Sequence, residues 1–127
     1  MPLRACEIPG FRSNRYSPNA GWRAGEPGDQ QIRLIFDEPV SAGRIQARFD
    51  EPATERTQEF TLRWSAAGKA SIEIIRQQWN FSPGGSTTEL EDHMVNLDHM
   101  SAIELAIRPD IGRSDAVATL ASWRVGR

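Results

Sequence analysis

The feature that most constrains this fold is an alternation of apolar and polar residues that begins at Gln31 and recurs almost to the end of the chain. A period of two places every second side chain on one face of an extended strand, whereas a helix repeats about every 3.6 residues. Turn residues such as Asp37-Glu38-Pro39 and Pro83-Gly84-Gly85 separate the alternating runs. No stretch shows a helical stripe of useful length, so the pattern predicts an all-β protein.

The alternating runs predict about eight strands, spaced roughly every ten to fifteen residues. We expect Asp37-Glu38-Pro39 to end one strand, and we expect a bulge or a break near His93 and a β-bulge near Ser122, where the phase of the alternation slips. Because each run is half polar, the strands should form antiparallel sheets with one wet face each, packed face to face. The expected architecture is an antiparallel β-sandwich or jelly roll. The apolar positions that define the runs are Ile32, Leu34, Phe36, Ile45, Ala47, Phe49, Phe60, Leu62, Trp64, Ile72, Ile74, Leu90, Val95, Leu97, Ile103, Leu105, Ile107, Ala118, Leu120, Trp123 and Val125.

The length of 127 residues fits one domain, and 39% hydrophobic with 25% charged residues is typical of a globular protein. With no internal repeat and no linker, we predict a single domain over residues 1–127. Residues 1–30 are dense in proline and glycine but also contain Phe11, Tyr16 and Trp22. We interpret them as a loop-rich N-terminal segment that wraps across the domain.

Charge and cysteine content narrow the partners and the compartment. The net charge is −2 and charges of both signs are interleaved, so no basic face follows a phosphate backbone and nucleic acid is not expected. The N-terminus lacks the apolar core of a signal peptide, and no apolar run approaches the roughly 20 residues of a membrane helix. For the same reason we expect no membrane partner. Cys6 has no second cysteine to pair with, so we expect a cytoplasmic protein.

The order of the runs resembles that of a known family. A loop-rich start is followed by strands over residues 31–36 and 43–49, and the chain closes with an apolar strand over 103–109 and a small-residue-rich strand over 118–125. This arrangement, from Gly21 to Val125, resembles the galactose-binding-like β-sandwich superfamily of discoidin and carbohydrate-binding modules. The resemblance implies a binding domain whose ligand is a sugar, a lipid head group, a protein or a nucleic-acid end. The chain departs from the discoidin subgroup because Cys6 cannot form its disulfide.

The most unusual segment follows a strand and leads into the Pro83-Gly84-Gly85 loop, where sandwich domains often bind ligands. Trp79 and Phe81 could stack on the apolar face of a sugar, with planar polar groups around them. Alternatively, both aromatics alternate inward and close one end of the core. The candidate ligand-binding residues here are Arg76, Gln78, Trp79 and Asn80.

Two further positions are candidates for ligand binding. Arg56 precedes the Phe60 strand, and the alternative is a surface ion pair with Glu55 or Glu59. Trp22 either rims a cleft or plugs the sandwich.

Metal binding and catalysis have weaker support. His93 and His99 each follow an aspartate, but their spacing matches no zinc pattern, and we expect both to face solvent. We predict no cofactor, although a structural calcium ion could take oxygens from loop acids, namely Glu26, Asp29, Asp110 and Asp115. The chain has no nucleophile elbow, no zinc-protease motif and no phosphate-binding loop, and no partner histidine is placed beside Cys6, so no catalytic residue is proposed.

We therefore predict a non-catalytic binding module for carbohydrate or another polar small ligand, at a loop-end cleft near Trp79. The alternative is a protein-interaction or oligomerisation domain that uses a sheet face and has no small-molecule site. An apolar exposed sheet face would favour that alternative. Acidic and histidine side chains converging in a pocket would instead favour a small enzyme.

Overall fold

The structure, a computed structural model, describes residues 22–126, so most of the predicted N-terminal wrap, with Cys6, lies outside the described residues. The described part contains strands and no helix, which confirms the all-β prediction. In particular, no helix within these residues has the length and apolar character to cross a membrane. The strands are β1 (Trp22–Arg23), β2 (Gln30–Asp50), β3 (Arg56–Ala66), β4 (Ile72–Phe81), β5 (Thr88–Arg108), β6 (Thr119–Leu120) and β7 (Ser122–Gly126).

All strand pairs are antiparallel, as predicted. A five-stranded sheet has the order β4-β3-β5-β2-β7, and β1 pairs with β6 in a small two-stranded sheet. The two central strands, β2 and β5, are 21 residues each and pair along their length to form a long, two-stranded antiparallel ribbon. One half of this ribbon carries β3 and β4, and the other half carries β7.

The large sheet folds over on itself to make the two layers of a β-sandwich. Phe60 pairs with Ile107, and Phe49 pairs with Glu89, eighteen residues away along β5. A straight strand would separate these two partners by about 60 Å. The rings of Phe49 and Phe60 nevertheless lie 5.4 Å apart, centroid to centroid. The ribbon must therefore bend back, which places the layer of β4, β3 and the adjoining ribbon (the front layer) against the layer that ends in β7 (the back layer).

The expected strand break at Asp37-Glu38-Pro39 is wrong, because β2 continues through these residues. The pairing of β2 with β5 shifts register between Ile35 and Val40, so Pro39 lies in an irregular stretch of the ladder. Proline cannot donate a ladder hydrogen bond, and bulged positions are where a strand tolerates it. A proline that is typical of a strand end in sequence here lies in an irregular stretch of a longer strand.

The bulge or break expected near His93 is confirmed as an irregularity and not as a break, because β5 runs through this residue while its ladder with β2 shifts register between Met94 and Leu97. The alternation changes later, around His99, whose φ of 57° is in the left-handed region. Leu97 is buried before this point and Met100 after it, so the residues between them shift the phase. The slip predicted near Ser122 is confirmed, because β6 ends at Leu120, β7 begins at Ser122, and both Leu120 and Trp123 are buried.

The core lies between the two layers and consists largely of the apolar members of the alternating runs, as predicted. The fully buried large side chains are Leu34, Ile45, Phe49, Phe60, Leu62, Phe81, Met100, Ile103, Leu105, Ile107, Leu120 and Trp123. Leu90 was assigned to this set from the sequence, but it is 70% exposed. Its neighbours Glu89 and Glu91 are buried in its place.

Candidate functional site

The segment singled out near Trp79 belongs to strand β4, not to a loop, and its side chains point to two different faces. Trp79 pairs with Gln58, a buried residue of β3, and therefore faces the interior. Trp79 is half-buried against the core, and its indole Nε1 donates to Ser86 Oγ at 3.2 Å. Phe81 is fully buried. The alternative reading, in which both aromatics close one end of the core, describes this arrangement.

The polar members of the segment lie together on the opposite, outer face of the front layer. Gln78 Nε2 donates to Glu59 Oε2 at 3.1 Å, and Arg76 Nη1 lies 3.8 Å from Glu59 Oε1. Asn80 Oδ1 accepts from the Thr57 hydroxyl at 2.9 Å. The structure thus brings Arg76, Gln78 and Asn80 to one surface and separates Trp79 from them.

Arg56 is buried inside the sandwich and does not form the surface pair with Glu55 or Glu59 that was considered. Its Nε donates to Glu51 Oε1 at 2.9 Å, and its Nη1 donates to the Pro109 carbonyl at 2.6 Å. Its guanidinium also stacks over Phe81, with Cζ 4.9 Å from the ring centroid. Arg56 therefore joins the β2–β3 turn to the end of β5, which is a structural role.

Trp22, the last candidate, lies on β1 opposite Leu120 and is half-buried against the core. Its position favours packing at the core of the sandwich over a place at the rim of a cleft.

The carboxylate of Glu51, the ion-pair partner of Arg56, is held in its charged form. Burial alone would raise the pKa of Glu51, but hydrogen bonds from Arg56 and from the Ala53 and Thr54 amides lower it below the usual range.

The outer face of the front layer carries pairs of oppositely charged side chains around three uncharged residues, Gln31, Thr61 and Ala106 (the floor). Thr61 pairs with Arg76 on one side and with Ala106 on the other, and Ala106 pairs with Gln31. The next row places Glu59 between Gln78 and Arg108. Side chains directly opposite each other in adjacent strands are close neighbours, so the rows bring arginines and carboxylates side by side.

A depression of about 260 Å³ lies over this floor. Arg76 and Arg108 flank it and remain about half exposed, while Glu59 lies deeper. The hydrogen bond and the charge of Glu73 raise the pKa of Arg76 above its already high value, so this guanidinium stays charged. Gln31, which pairs with Ala106 on the same face, also lines the depression. The depression therefore offers charged donors, carboxylate acceptors and an amide within one small area.

A second depression, of about 560 Å³, adjoins the first and shares Asp29 with it. It contains three of the four acids considered for calcium, namely Glu26, Asp29 and Asp110, together with Arg113; Asp115 does not line it. Within the part of the chain that the structure describes, however, no three acidic, histidine or cysteine side chains are grouped closely enough to hold a metal ion. Hydrogen bonds from Ser114 and from the Gly112 amide lower the pKa of Asp110, so this carboxylate is charged and already bonded.

Sequence reasoning missed a polar cluster buried between the layers. Gln58 Nε2 donates to Glu89 Oε1 at 3.1 Å, and His93 Nε2 lies 2.7 Å from Glu91 Oε1. The expectation that both histidines face solvent is wrong for His93, which is mostly buried, and right for His99, which is exposed. The signal was present in the sequence, since Glu89, Glu91 and His93 share the parity of the inward residue Leu97. The apolar Leu90 has the opposite parity and therefore indicates the wrong face of this strand.

Glu89 is the most perturbed carboxyl group of this cluster. Burial, the hydrogen bond with Glu91 and the charge of Glu91 raise the pKa of Glu89 to about 9, and Gln58 and Arg56 only partly oppose this. Its Oε2 is buried, and no N–H or O–H group of the described residues donates a hydrogen bond to it. A protonated carboxyl group donates a hydrogen bond where a carboxylate only accepts. The raised pKa of Glu89 therefore favours its protonated form at physiological pH, in which the carboxyl group can donate a hydrogen bond.

Comparisons with known proteins give little beyond this description. No protein-family model matches the sequence, and no match was found among curated proteins. The chain is similar to the structure titled "Crystal structure of a Bacillus thuringiensis Cry1Da tryptic core variant", with 12% sequence identity and a TM-score of 0.38. The match covers 96% of this chain but only 24% of that one, so the chain spans about a quarter of its length. A likeness at this level carries no argument about family or function.

Proposed function

We propose that this protein is a non-catalytic binding module of the galactose-binding-like, jelly-roll type, and that it binds a polar, hydroxyl-rich small ligand. Carbohydrate is the ligand class that fits best. The ligand lies on the outer face of the front layer, over Thr61 and Ala106, and not at a loop-end cleft beside Trp79. The cytoplasmic location expected from the single Cys6 is part of the same proposal.

The observation that carries this proposal is the pairing of donors and acceptors around the first depression. Arg76 and Arg108 supply charged donors, while Glu59 and Asp29 supply charged acceptors. Because two positive charges face two negative charges, the depression has no net preference for an anion or a cation. A sugar hydroxyl both donates and accepts, so it is the kind of group that such an arrangement satisfies.

Among residues 22–126, no aromatic side chain lines the first depression, so in this proposal recognition depends on hydrogen bonds at the edge of the sugar. A hydrogen bond to a charged group contributes about 1.5–3 kcal/mol when well formed. A small number of such bonds on an open surface supports weak binding, with a Kd of the order of 1 mM to 10 µM. This range sets the concentrations that an assay must reach.

The described surface gives less support to the alternative, a protein-interaction domain. Leu90 and Met94 are exposed on the outer side of β5, but Asp92 lies between them and pairs with Arg44 at 2.6 Å. The apolar side chains are thus interrupted by charges and do not form the contiguous apolar face that marks many interaction surfaces. This alternative becomes the preferred one only if no sugar binds.

The experiment is isothermal titration calorimetry with neutral gluco-, galacto-, manno- and xylo-oligosaccharides, on the wild type and two matched variants. Arg76→Gln removes a guanidinium from the proposed site and should weaken binding about tenfold. Arg124→Gln removes an exposed guanidinium from the back layer and should leave binding unchanged. Equal weakening by both variants, or no binding at millimolar sugar, would overturn the proposal.

A further inference from the structure

Two adjacent depressions, and not one, occupy the proposed binding surface. The first lies over Thr61 and the second is bounded by the loops at residues 26–29 and 109–114. Asp29 lines both of them, and its carboxylate lies 3.5 Å from Arg108 Nε. The Asp29–Arg108 pair (the ridge) therefore lies where the two depressions border each other.

The sizes of the two halves argue against a ligand confined to the first. Small-molecule sites usually enclose about 300–1,000 Å³. At about 260 Å³ the first depression is below this range, while the second, at about 560 Å³, is within it. A ligand that occupies both gains contacts with Arg113 and Ser114 in addition to those with Arg76 and Glu59.

The wall formed by residues 109–114 is held in place by one hydrogen bond to the sheet and one within the loop. The Ile111 amide donates to the Thr57 carbonyl at 2.8 Å, and the Arg113 amide donates to the Asp110 carbonyl at 2.9 Å. Arg113 adopts a φ of 60°, a left-handed conformation that is uncommon for a residue other than glycine. Such positions are often functional when the surrounding bonds fix them. Preorganised walls reduce the ordering cost of binding.

Resting on the proposed function, we infer that the ligand is an oligosaccharide of at least two units that lies across the Asp29–Arg108 ridge and fills both depressions. One unit contacts Arg76, Glu59 and Thr61. The next unit contacts Arg113 and Ser114. The ridge itself lies beneath the glycosidic linkage, where its guanidinium and carboxylate can bond to hydroxyls of both units.

The test is a titration of one sugar series, from the monosaccharide to the tetrasaccharide, chosen as the series that binds the wild type. The affinity should rise about tenfold or more from one unit to two or three, because further charge-assisted hydrogen bonds form. Arg113→Asn should weaken binding of the longer sugars about tenfold and leave that of the monosaccharide within twofold. Asparagine suits this variant because it tolerates the left-handed conformation, so the loop keeps its shape.

The outcomes separate this inference from the function on which it rests. If the monosaccharide binds as tightly as the tetrasaccharide and Arg76→Gln weakens both, the groove has one subsite and the inference is wrong, while the proposed function stands. Equal weakening of all lengths by Arg113→Asn also contradicts it. Absence of binding for every length overturns both.

Discussion

Replacing Glu89 by glutamine should remove a large part of the pH dependence of folding stability. Glu89 is fully buried, and its pKa in the folded protein is raised to about 9 from a reference value of 4.5. Between these two values the folded state holds a proton that the unfolded state has released. The free energy of unfolding therefore falls as pH rises, by about 1.4 kcal/mol per pH unit for one proton. From pH 6 to pH 8 the loss is about 3 kcal/mol.

The Glu89→Gln variant keeps the shape and the hydrogen bonds of the protonated acid. Its amide oxygen accepts from Gln58 as the carboxyl group does, and its amide NH₂ donates toward Glu91. Because the amide does not titrate, we expect the slope of about −1.4 kcal/mol per pH unit to be absent from the variant and to appear in full in the difference between the two proteins. Groups that do not interact with Glu89 contribute equally to both proteins and cancel. The lowered pKa values of Asp92, Asp98 and Asp110 lead to losses of stability below about pH 4, outside this window.

The assay is urea unfolding at half-unit intervals from pH 6 to pH 8, followed by tryptophan fluorescence. Glu104→Gln is the matched control, since Glu104 lies on the outer face of the same strand. It should leave the slope of the wild type unchanged. An unchanged slope in Glu89→Gln would mean that Glu89 is ionised in the folded protein, and would refute the reasoning about the cluster.

Three further predictions concern the fold. Phe49→Ala should destabilise the protein by about 3–5 kcal/mol in the same unfolding assay, because the ring packs on Phe60 between the layers; a cost below about 1 kcal/mol would contradict the folded-over sheet. Arg56→Met should destabilise by about 3 kcal/mol or more because Glu51 and the Pro109 carbonyl lose a buried donor, whereas Arg63→Met on the outer face should cost less than about 1 kcal/mol; similar costs for the two would contradict the buried position of Arg56. Leu90→Thr should change stability by less than about 0.5 kcal/mol, and a loss of about 2 kcal/mol or more would place Leu90 in the core as the sequence suggested.

The sequence predicted the strands well where alternation and turn chemistry agree. The runs at Ile32–Phe36 and Ile103–Ile107 become inward-facing core positions, and the phase slip before Trp123 becomes a break between β6 and β7. The errors arise where a local signal has two structural meanings. Pro39 reads as a terminator, but within a bent ribbon it lies at an irregular point of the ladder.

The candidate site was harder to predict because the side of the sheet on which a side chain lies depends on how its strand pairs with the neighbouring strand. Arg76, Gln78 and Asn80 were recognised as polar candidates, but only the pairing with β3 shows that Trp79 faces away from them. Their companions Glu59 and Arg108 come from other strands, so no local motif joins them. Likewise, Glu89 and Glu91 look like solvent-facing residues until Gln58 and His93 supply their buried partners. The alternation in this segment fits either face equally, and tertiary contacts decide between them.

The central claim, that the outer face of the front layer binds carbohydrate, is tested most directly by nuclear magnetic resonance titration of ¹⁵N-labelled protein with the sugar series. We expect amide shifts to change at the floor residues Gln31, Thr61 and Ala106, while Ala47 and Arg124 of the back layer stay unchanged. Shift changes centred on the back layer, or none at millimolar sugar, would contradict the account.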